Sequence, residues 1–158
     1  MLSDVIVIRN TGDIPAHLDR NLIEAYSNTR YFTLLPQLDD NGAFIEIGKN
    51  PPALVQQLDM YGFNTYAFIT AWNPGSVQQD TRLNQAANLA LELDMHPHCR
   101  LLRRGEGIGS DPNWAPEESF LALDILPEKA VELARKYGQN AIVVWGKGGE
   151  PEIWWVRR

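Results

Sequence analysis

The sequence predicts a single domain of the α/β or α+β class, in which a mixed β-sheet has helices packed on both of its faces. The chain has 158 residues, 44% hydrophobic and 22% charged, which suits one globular domain. Segments of strand character alternate along it with segments of helical character. The segment "TYAFITAW" (residues 65–72) shows no polar alternation, which is typical of a strand buried on both faces.

The first half of the chain predicts two helices and up to four strands. Residues 1–15 form an N-terminal arm or a short strand, and a helix follows from about Pro15 to Asn28. The strands "RYFTLLP" and "AFIEIG" come next, joined by a hairpin turn at Asn41-Gly42. Prolines 51 and 52 begin a short helix that Gly62 ends, ahead of the buried strand. The first helix carries an apolar stripe of Leu18, Leu22, Ile23, Ala25 and Tyr26.

The second half predicts two helices and four strands. The longest helix lies within residues 76–95 and is followed by the strands "CRLLRRG" and "ESFLALDIL". Pro127 begins the last helix and Gly138 ends it. The strands "NAIVVWG" and "EIWWVR" form a hairpin, because Gly148-Gly149 joins them within a few residues.

Several properties of the sequence limit the expected partners, compartment and cofactor. The net charge of −6 would repel a phosphate backbone, so we expect no nucleic-acid partner. The start "MLSDVIVIRN" has neither a basic region nor a long apolar run, so we expect no membrane partner. Cys99 is the one cysteine, which excludes an intrachain disulfide and makes a reducing cytoplasm the expected compartment. We expect no cofactor. A phosphate-binding loop is also not indicated, because the glycines after residue 104 follow a strand but open no helix.

The strongest candidate site is the end of the buried strand, at Trp72, Asn73, Pro74, Gly75 and Ser76. In sheets crossed by helices, ligands bind beyond the carboxyl ends of strands. Asn73 offers a carbonyl and an amide to a planar ligand, and Pro74 pushes it out of the helical region. Ser76 is placed to cap the next helix. The alternative is a plain strand-to-helix turn, in which Asn73 and Ser76 satisfy backbone groups.

Two asparagines of the longest helix, Asn84 and Asn88, are four residues apart and share one face. Asparagine is a poor helix former, so the pair indicates either the polar wall of a cleft or hydrogen bonds to a neighbouring loop. Asn84 is the better candidate for ligand binding, because it is one turn nearer the Asn-Pro loop.

The glycine-rich segment from Gly105 to Ser119 predicts a long connection, and such loops are usually functional or mobile. It contains two candidate general acids or bases, Glu117 and, after it, Glu106. Glu117 and Glu118 point to opposite faces of a strand, so one of them can enter a cleft. The alternative is that all the carboxylates of the segment are solvated. No metal site is predicted at "MHPHC" (residues 95–99), which lacks the spacing of a zinc site. A metal-dependent enzyme that uses the carboxylates of the glycine-rich segment stays a further alternative.

Five segments occur in an order that resembles a bacterial family catalogued as a domain of unknown function, family 3293. They are "AYSNTRY", "EIGKN", "AFITAWNPGS", "GEGIGSDPNWAPEESFLALDI" and "KYGQNAIVVWG". The resemblance runs from about Leu22 to Gly146, within a family-like core of residues 16–146, and residues 147–158 add a C-terminal hairpin strand. It carries no activity or substrate, but it implies that polar, glycine and aromatic positions line one pocket. These positions are Thr29, Tyr31, Gly48, Trp72, Asn73, Pro74, Ser76, Asn84, Gly105, Glu106, Gly107, Trp114, Glu117, Ser119, Gln139 and Asn140.

The favoured function is a pocket for a small-molecule or nucleotide-like ligand at the Asn73-Pro74 loop, in a hydrolase, a transferase or a protein that only binds. The Asn-Pro-Gly strand end also resembles the substrate loop of mismatch-type uracil-DNA glycosylases, which indicates that such a loop can hold a planar heterocycle. The alternative is a non-enzymatic regulatory or protein-interaction domain, which forms a homodimer or binds a partner through an edge strand containing Trp154 and Trp155. The predicted ligand-binding residues are Tyr31, Trp72, Asn73, Ser76, Asn84, Trp114 and Gln139.

Overall fold

The structure, a computed structural model, describes residues 2–34 and 42–157. The α-helices in these ranges are α1 (Arg20–Ser27), α2 (Pro52–Met60), α3 (Thr81–Met95) and α4 (Pro127–Lys136). The strands are β1 (Ile6–Ile8), β2 (Arg30–Thr33), β3 (Ala43–Ile45), β4 (Thr65–Ile69), β5 (Leu101–Ile108), β6 (Glu117–Leu123), β7 (Ala141–Gly146) and β8 (Glu152–Trp155). None of the helices in the described ranges is long and apolar enough to cross a membrane.

The eight strands form one sheet in the order β1-β8-β7-β4-β6-β5-β2-β3. The α+β class is confirmed, but the expectation of a mixed sheet is wrong, since each strand pairing is antiparallel. The reason lies in the helical connections. Helix α3 joins β4 to β5 and α4 joins β6 to β7, and each connection skips one strand. Strands that run in the same direction are therefore separated by an antiparallel strand.

The central strand β4 lies between two apolar clusters, and its burial on both faces is confirmed. Ala67 and Ile69 pack in a cluster with residues of α3 and α4, such as Leu91. Phe68, which points to the opposite face, packs in a cluster with α2 residues such as Leu58. These clusters agree with helices on both faces of the sheet, which stays a prediction.

Element boundaries differ from the predicted ones at two places that affect the site. Helix α1 begins at Arg20 rather than Pro15, because Asp19 caps it by accepting a hydrogen bond from the Leu22 N–H at 3.1 Å. Strand β5 continues to Ile108, so the connection to β6 is shorter than predicted and spans residues 109–116. The predicted turn residue Asn41 lies outside the described residues, while β2 and β3 do pair as an antiparallel hairpin would.

The C-terminal strand is internal rather than an edge. The hairpin of β7 and β8 is confirmed, and β8 also pairs with β1 through Ile6 and Trp155. Trp155 is buried and Trp154 is partly buried against the cluster of α3 and α4. The expected edge surface of Trp154 and Trp155 is therefore wrong, because residues 6–8 already occupy that side of β8.

Candidate functional site

A cavity of about 320 Å³ lies against one face of the sheet, a volume at the lower end of the range for small-molecule sites. Helix α1 forms one wall, and strands β2 and β4 to β8 supply the others together with the loops after β4 and β5. Many of the lining side chains are apolar, among them Leu22, Phe68, Val143 and Ile153. A small set of polar groups therefore determines what the cavity can hold.

The structure brings six predicted site residues to this cavity and leaves three outside its lining. Outside are Trp72, Asn84 and Glu106. Glu106 lies opposite Glu118 in the register of β5 and β6, and both are exposed, whereas Glu117 lies opposite Gly107 in the cavity wall. Side chains alternate along a strand, so Glu106 points away from the site. The six in the lining are Tyr31, Asn73, Ser76, Trp114, Glu117 and Gln139.

The loop after β4 contains three residues with left-handed backbone. Asn73 has φ 46° and ψ 65°, Gly75 has φ 68° and Ser76 has φ 63°. This region costs residues other than glycine about 1–2 kcal/mol, so Asn73 and Ser76 are held there against a local preference. The N–H of Gly75 donates to the Gly138 carbonyl at 2.8 Å, which anchors the loop to the turn between α4 and β7.

Ser76 does not cap the following helix, contrary to the sequence prediction. Helix α3 begins at Thr81, and Asp80 caps it by accepting a hydrogen bond from the Arg82 N–H at 2.7 Å. The Ser76 hydroxyl lies instead 2.5 Å from the Tyr26 hydroxyl, in the cavity wall. Ser76 is thus available to the site rather than to the helix.

Asn73 and Asn84 form a reciprocal pair whose orientations are fixed by backbone donors. The Asn73 N–H donates to Asn84 Oδ1 at 2.8 Å, and the Gln79 N–H donates to Asn73 Oδ1 at 3.2 Å. A backbone N–H can only donate, so both amide oxygens must face these groups. Asn84 Nδ2 completes the pair by donating to Asn73 Oδ1 at 2.8 Å. Asn84 therefore positions Asn73, and the remaining amide group of Asn73 is its Nδ2.

One carboxylate oxygen of Glu117 is held by two neutral donors. Oε2 accepts hydrogen bonds from Asn73 Nδ2 at 3.1 Å and from Trp114 Nε1 at 2.9 Å. Burial raises the pKa of Glu117 above its ordinary value of 4.5, and the hydrogen bonds from Trp114 and Asn73 oppose this rise. Within residues 2–34 and 42–157, no basic side chain forms a salt bridge with Glu117, and Oε1 accepts no hydrogen bond.

Tyr31 and Gln139 are fixed by hydrogen bonds to backbone carbonyls. The Tyr31 hydroxyl donates to the Tyr26 carbonyl at 2.8 Å, and its ring packs edge to face on Phe68 with centroids 5.2 Å apart. Gln139 Nε2 donates to the Trp72 carbonyl at 3.2 Å and so ties the turn before β7 to the loop after β4. Tyr31 therefore offers the cavity an aromatic surface, as predicted for stacking, while its hydroxyl is occupied.

A second polar cluster begins in the cavity wall with Tyr26 and Ser76 and continues behind it with Asn140 and Arg157. Ser76 was predicted for the site and Asn140 was included by the family resemblance, whereas Tyr26 and Arg157 were not predicted. The Tyr26 and Ser76 hydroxyls contact each other, and both accept hydrogen bonds from Asn140 Nδ2, at 3.3 and 3.2 Å. Asn140 is fully buried, and its Oδ1 accepts a hydrogen bond from Arg157 Nη1 at 3.0 Å. Tyr26 belonged to the predicted apolar stripe of α1, and Ser76 is 50 positions away, so no local spacing indicates the contact.

Asn88 forms hydrogen bonds to neighbouring segments of the chain, which was the alternative to a place in the wall of a cleft. Its Oδ1 accepts a hydrogen bond from the Ala71 N–H at 2.8 Å, and its Nδ2 donates to the Glu118 carbonyl at 2.8 Å. It connects α3 to the end of β4 and to β6 and does not line the cavity. Across the described part of the chain, no group of three or more His, Cys, Asp or Glu side chains is arranged to hold a metal ion.

Comparison with known proteins concerns the same part of the chain. No curated protein and no solved structure matches the chain. Residues 69–142 match the model of a family described as "Protein of unknown function (DUF3293)". This segment contains the loop after β4, the whole of α3, Glu117 and the turn between α4 and β7. The resemblance to domain-of-unknown-function family 3293 is therefore confirmed over these residues.

Proposed function

We propose that the cavity binds a small organic molecule and that Glu117 is the acid–base group of the site. The observation that carries this proposal is a carboxylate in a largely apolar cavity, with Oε2 held by Asn73 and Trp114 and Oε1 without a hydrogen bond from the described residues. An N–H or ammonium group of a ligand would complete the hydrogen bonding of Oε1.

A purely structural role does not account for a charged group at this position. A half-buried carboxylate costs free energy unless it is paired. Glutamine would accept the same hydrogen bonds from Asn73 and Trp114 through its side-chain oxygen, without that cost. The two contacts therefore do not require a carboxylate, and its negative charge supports a function toward a molecule outside the chain.

The other lining residues narrow the class of ligand. The charged residues of the lining are Asp111 and Glu117, both acidic, so the cavity favours a neutral or cationic molecule over one that carries phosphate. Tyr31 and Trp114 provide aromatic surface for a planar body. Among the nucleotide-like ligands of the sequence prediction, a base-sized or nucleoside-sized molecule fits these features better than a nucleotide.

For turnover we propose general acid–base chemistry, as used by hydrolases and transferases. A carboxyl whose pKa is raised by burial is better matched to accepting and returning a proton near neutral pH than an ordinary one. Because Oε2 is held by two donors, the proton is exchanged at Oε1 of Glu117.

The test is a thermal-shift screen of small amines and nitrogen heterocycles, followed by calorimetric titration of the compounds that stabilise the wild type. A compound at a hundred times its Kd adds about 2.7 kcal/mol of stability, which such a screen detects. We expect Glu117→Gln to weaken binding about tenfold or more, since a hydrogen bond to a charged group contributes about 1.5–3 kcal/mol.

Glu118→Gln is the matched control, because Glu118 is the next residue, is exposed and lies on the opposite face of β6. It should bind like the wild type. The proposal is contradicted by binding that survives Glu117→Gln, by an equal loss in both variants, or by a screen in which no compound stabilises the wild type.

A further inference from the structure

The orientation of the Asn140 amide is determined by its neighbours. The Arg157 guanidinium has only N–H donors, so the oxygen of the Asn140 amide must face Arg157, at 3.0 Å from Nη1. The NH₂ group of Asn140 must then face the hydroxyls of Tyr26 and Ser76, at 3.3 and 3.2 Å. Both hydroxyl oxygens therefore act as acceptors toward Asn140, and neither hydroxyl can give its proton to this amide.

The hydroxyls of Tyr26 and Ser76 have two protons between them, and their mutual hydrogen bond uses one. Whichever hydroxyl donates, the other keeps a proton that has no acceptor among the described residues. Burial raises the pKa of Tyr26, so the phenol retains its proton at neutral pH. Both side chains line the cavity, and the pair therefore presents one O–H donor to whatever the cavity holds.

We infer that the site recognises a ligand with two polar groups, an oxygen acceptor for the O–H of the Tyr26–Ser76 pair and an N–H or ammonium for Glu117. The inference rests on the proposed function, because it assigns the substrate class of the same cavity. That class is an amine with a planar or aromatic ring that also carries a carbonyl or ester oxygen. Asn140 and Arg157 are positioning residues, since they set the direction of the hydroxyl protons and do not line the cavity.

A single loop fixes the two polar groups of the site relative to each other. Asn73 donates to Glu117, and Ser76, three residues later, contacts Tyr26. The Ser76 N–H donates to the Asn73 carbonyl at 2.9 Å, which closes this turn. The left-handed backbone at both residues therefore sets the spacing between the acceptor Glu117 and the hydroxyl donor.

The test is an NMR titration with matched triplets of compounds. One triplet is phenylalanine methyl ester, 2-phenylethylamine and methyl 3-phenylpropionate, which share a ring and differ in the ammonium and the ester. A second is tryptophan methyl ester, tryptamine and methyl 3-indolepropionate. The measured quantity is the ester advantage, defined as the affinity of the amino ester divided by that of the amine. We expect an ester advantage of about twofold to tenfold in the wild type, as one hydrogen bond contributes.

Two variants test the origin of the ester advantage. Asn140→Asp keeps an oxygen toward Arg157 but turns a second acceptor toward the hydroxyls, so the chain itself can take up both hydroxyl protons. The double variant Tyr26→Phe/Ser76→Ala removes both hydroxyls. In each case the ester advantage should fall to about onefold. Each single variant, Tyr26→Phe or Ser76→Ala, leaves one hydroxyl with a free proton and should keep part of the advantage.

The outcomes separate this inference from the proposed function. An ester advantage that is absent in the wild type, or unchanged in both Asn140→Asp and the double variant, overturns the two-group assignment. If either Asn140→Asp or the double variant fails to fold, the ester advantage of the other variant decides the test. If neither folds, the inference requires that Tyr26→Phe and Ser76→Ala each reduce the ester advantage. If no compound of either triplet binds, the two-group assignment is overturned. If the amines bind equally well to Glu117→Gln, the proposed function itself is overturned.

Discussion

Replacing Asn84 with alanine should reduce both the stability of the protein and the order of the site. Asn84 is 2% exposed, and its Oδ1 accepts hydrogen bonds from the Asn73 N–H at 2.8 Å and from Gln79 Nε2 at 2.7 Å. Its Nδ2 donates a third, to Asn73 Oδ1 at 2.8 Å. At about 1 kcal/mol per bond the loss is about 3 kcal/mol, of which the higher helix propensity of alanine returns about 0.6 kcal/mol. We expect the free energy of unfolding to fall by about 2–3 kcal/mol, and Tm by about 4–12 °C.

The matched control for this prediction is Asn88→Ala. Asn88 lies four residues further along α3, is also buried, and uses both ends of its amide toward Ala71 and Glu118. Equilibrium unfolding in denaturant should show a comparable loss of stability for both variants. The compounds found in the thermal-shift screen should bind more weakly to Asn84→Ala only. Asn73 then loses both hydrogen bonds to Asn84 and keeps the one from the Gln79 N–H, so its amide is held less firmly toward Glu117.

Two results would refute this reasoning. A loss of less than about 1 kcal/mol in Asn84→Ala would mean that the hydrogen bonds between Asn73 and Asn84 contribute little to the folded state. An equal loss of binding in Asn88→Ala would mean that binding follows overall stability rather than the position of the Asn73 amide.

Three further predictions concern equilibrium unfolding. Asn73→Gly should be more stable than Asn73→Ala by about 1 kcal/mol, because glycine adopts φ 46° without a Cβ penalty, and equal stabilities would contradict this. Burial raises the pKa of Glu117 in the folded protein above its ordinary value of 4.5, so between these two pKa values the folded protein binds a proton more strongly than the unfolded chain does. The free energy of unfolding therefore falls as the pH rises from 4.5 through the folded-state pKa. Glu117→Gln should remove this fall, and an unchanged pH profile would argue against it. Gly105→Ala should cost about 1–3 kcal/mol, because a Cβ would lie 2.3 Å from the Phe32 carbonyl oxygen, whereas Gly109→Ala, with open space around it, should cost less.

The class of the fold could be predicted from the sequence, but the pairing of the strands could not. The apolar run of β4 correctly indicated a strand buried on both faces, because such a strand needs apolar side chains at successive positions. Which strands flank β4 is determined by contacts between distant segments, and a helical connection that skips a strand has the same local pattern as one that does not. The expected mixed sheet was therefore wrong although the fold class was right.

The candidate site shows the same division between local and long-range information. Asn73 lines the cavity as predicted, and the sequence indicated it because a proline forces the residue before it out of the helical region at the end of a strand. Glu117 was placed ahead of Glu106, but residue type alone does not separate them, since the register of β5 with β6 and the extension of β5 to Ile108 decide which carboxylate faces the cavity. Tyr26 could not be found at all, because a tyrosine in an apolar stripe gives no indication of where its hydroxyl lies.

The loop after β4 contains two of the three residues other than glycine that have positive φ in the described part of the chain. Among described residues other than glycine, Asn73, Ser76 and Asp124 have positive φ. Asp124 accepts hydrogen bonds from the N–H groups of Asn64 and Thr65 at 2.7 and 3.1 Å, so its side chain has a task that glycine could not perform. Glycine at 73 and 76 would form the same chain reversal without strain, but it would remove the amide that holds Glu117 and one hydroxyl of the donor pair. The strain is therefore tied to these side chains and not to the turn, as the proposed role of Asn73 and Ser76 in the cavity requires. Glycine occupies the other positive-φ positions, at Gly42, Gly48, Gly62, Gly75, Gly138 and Gly148.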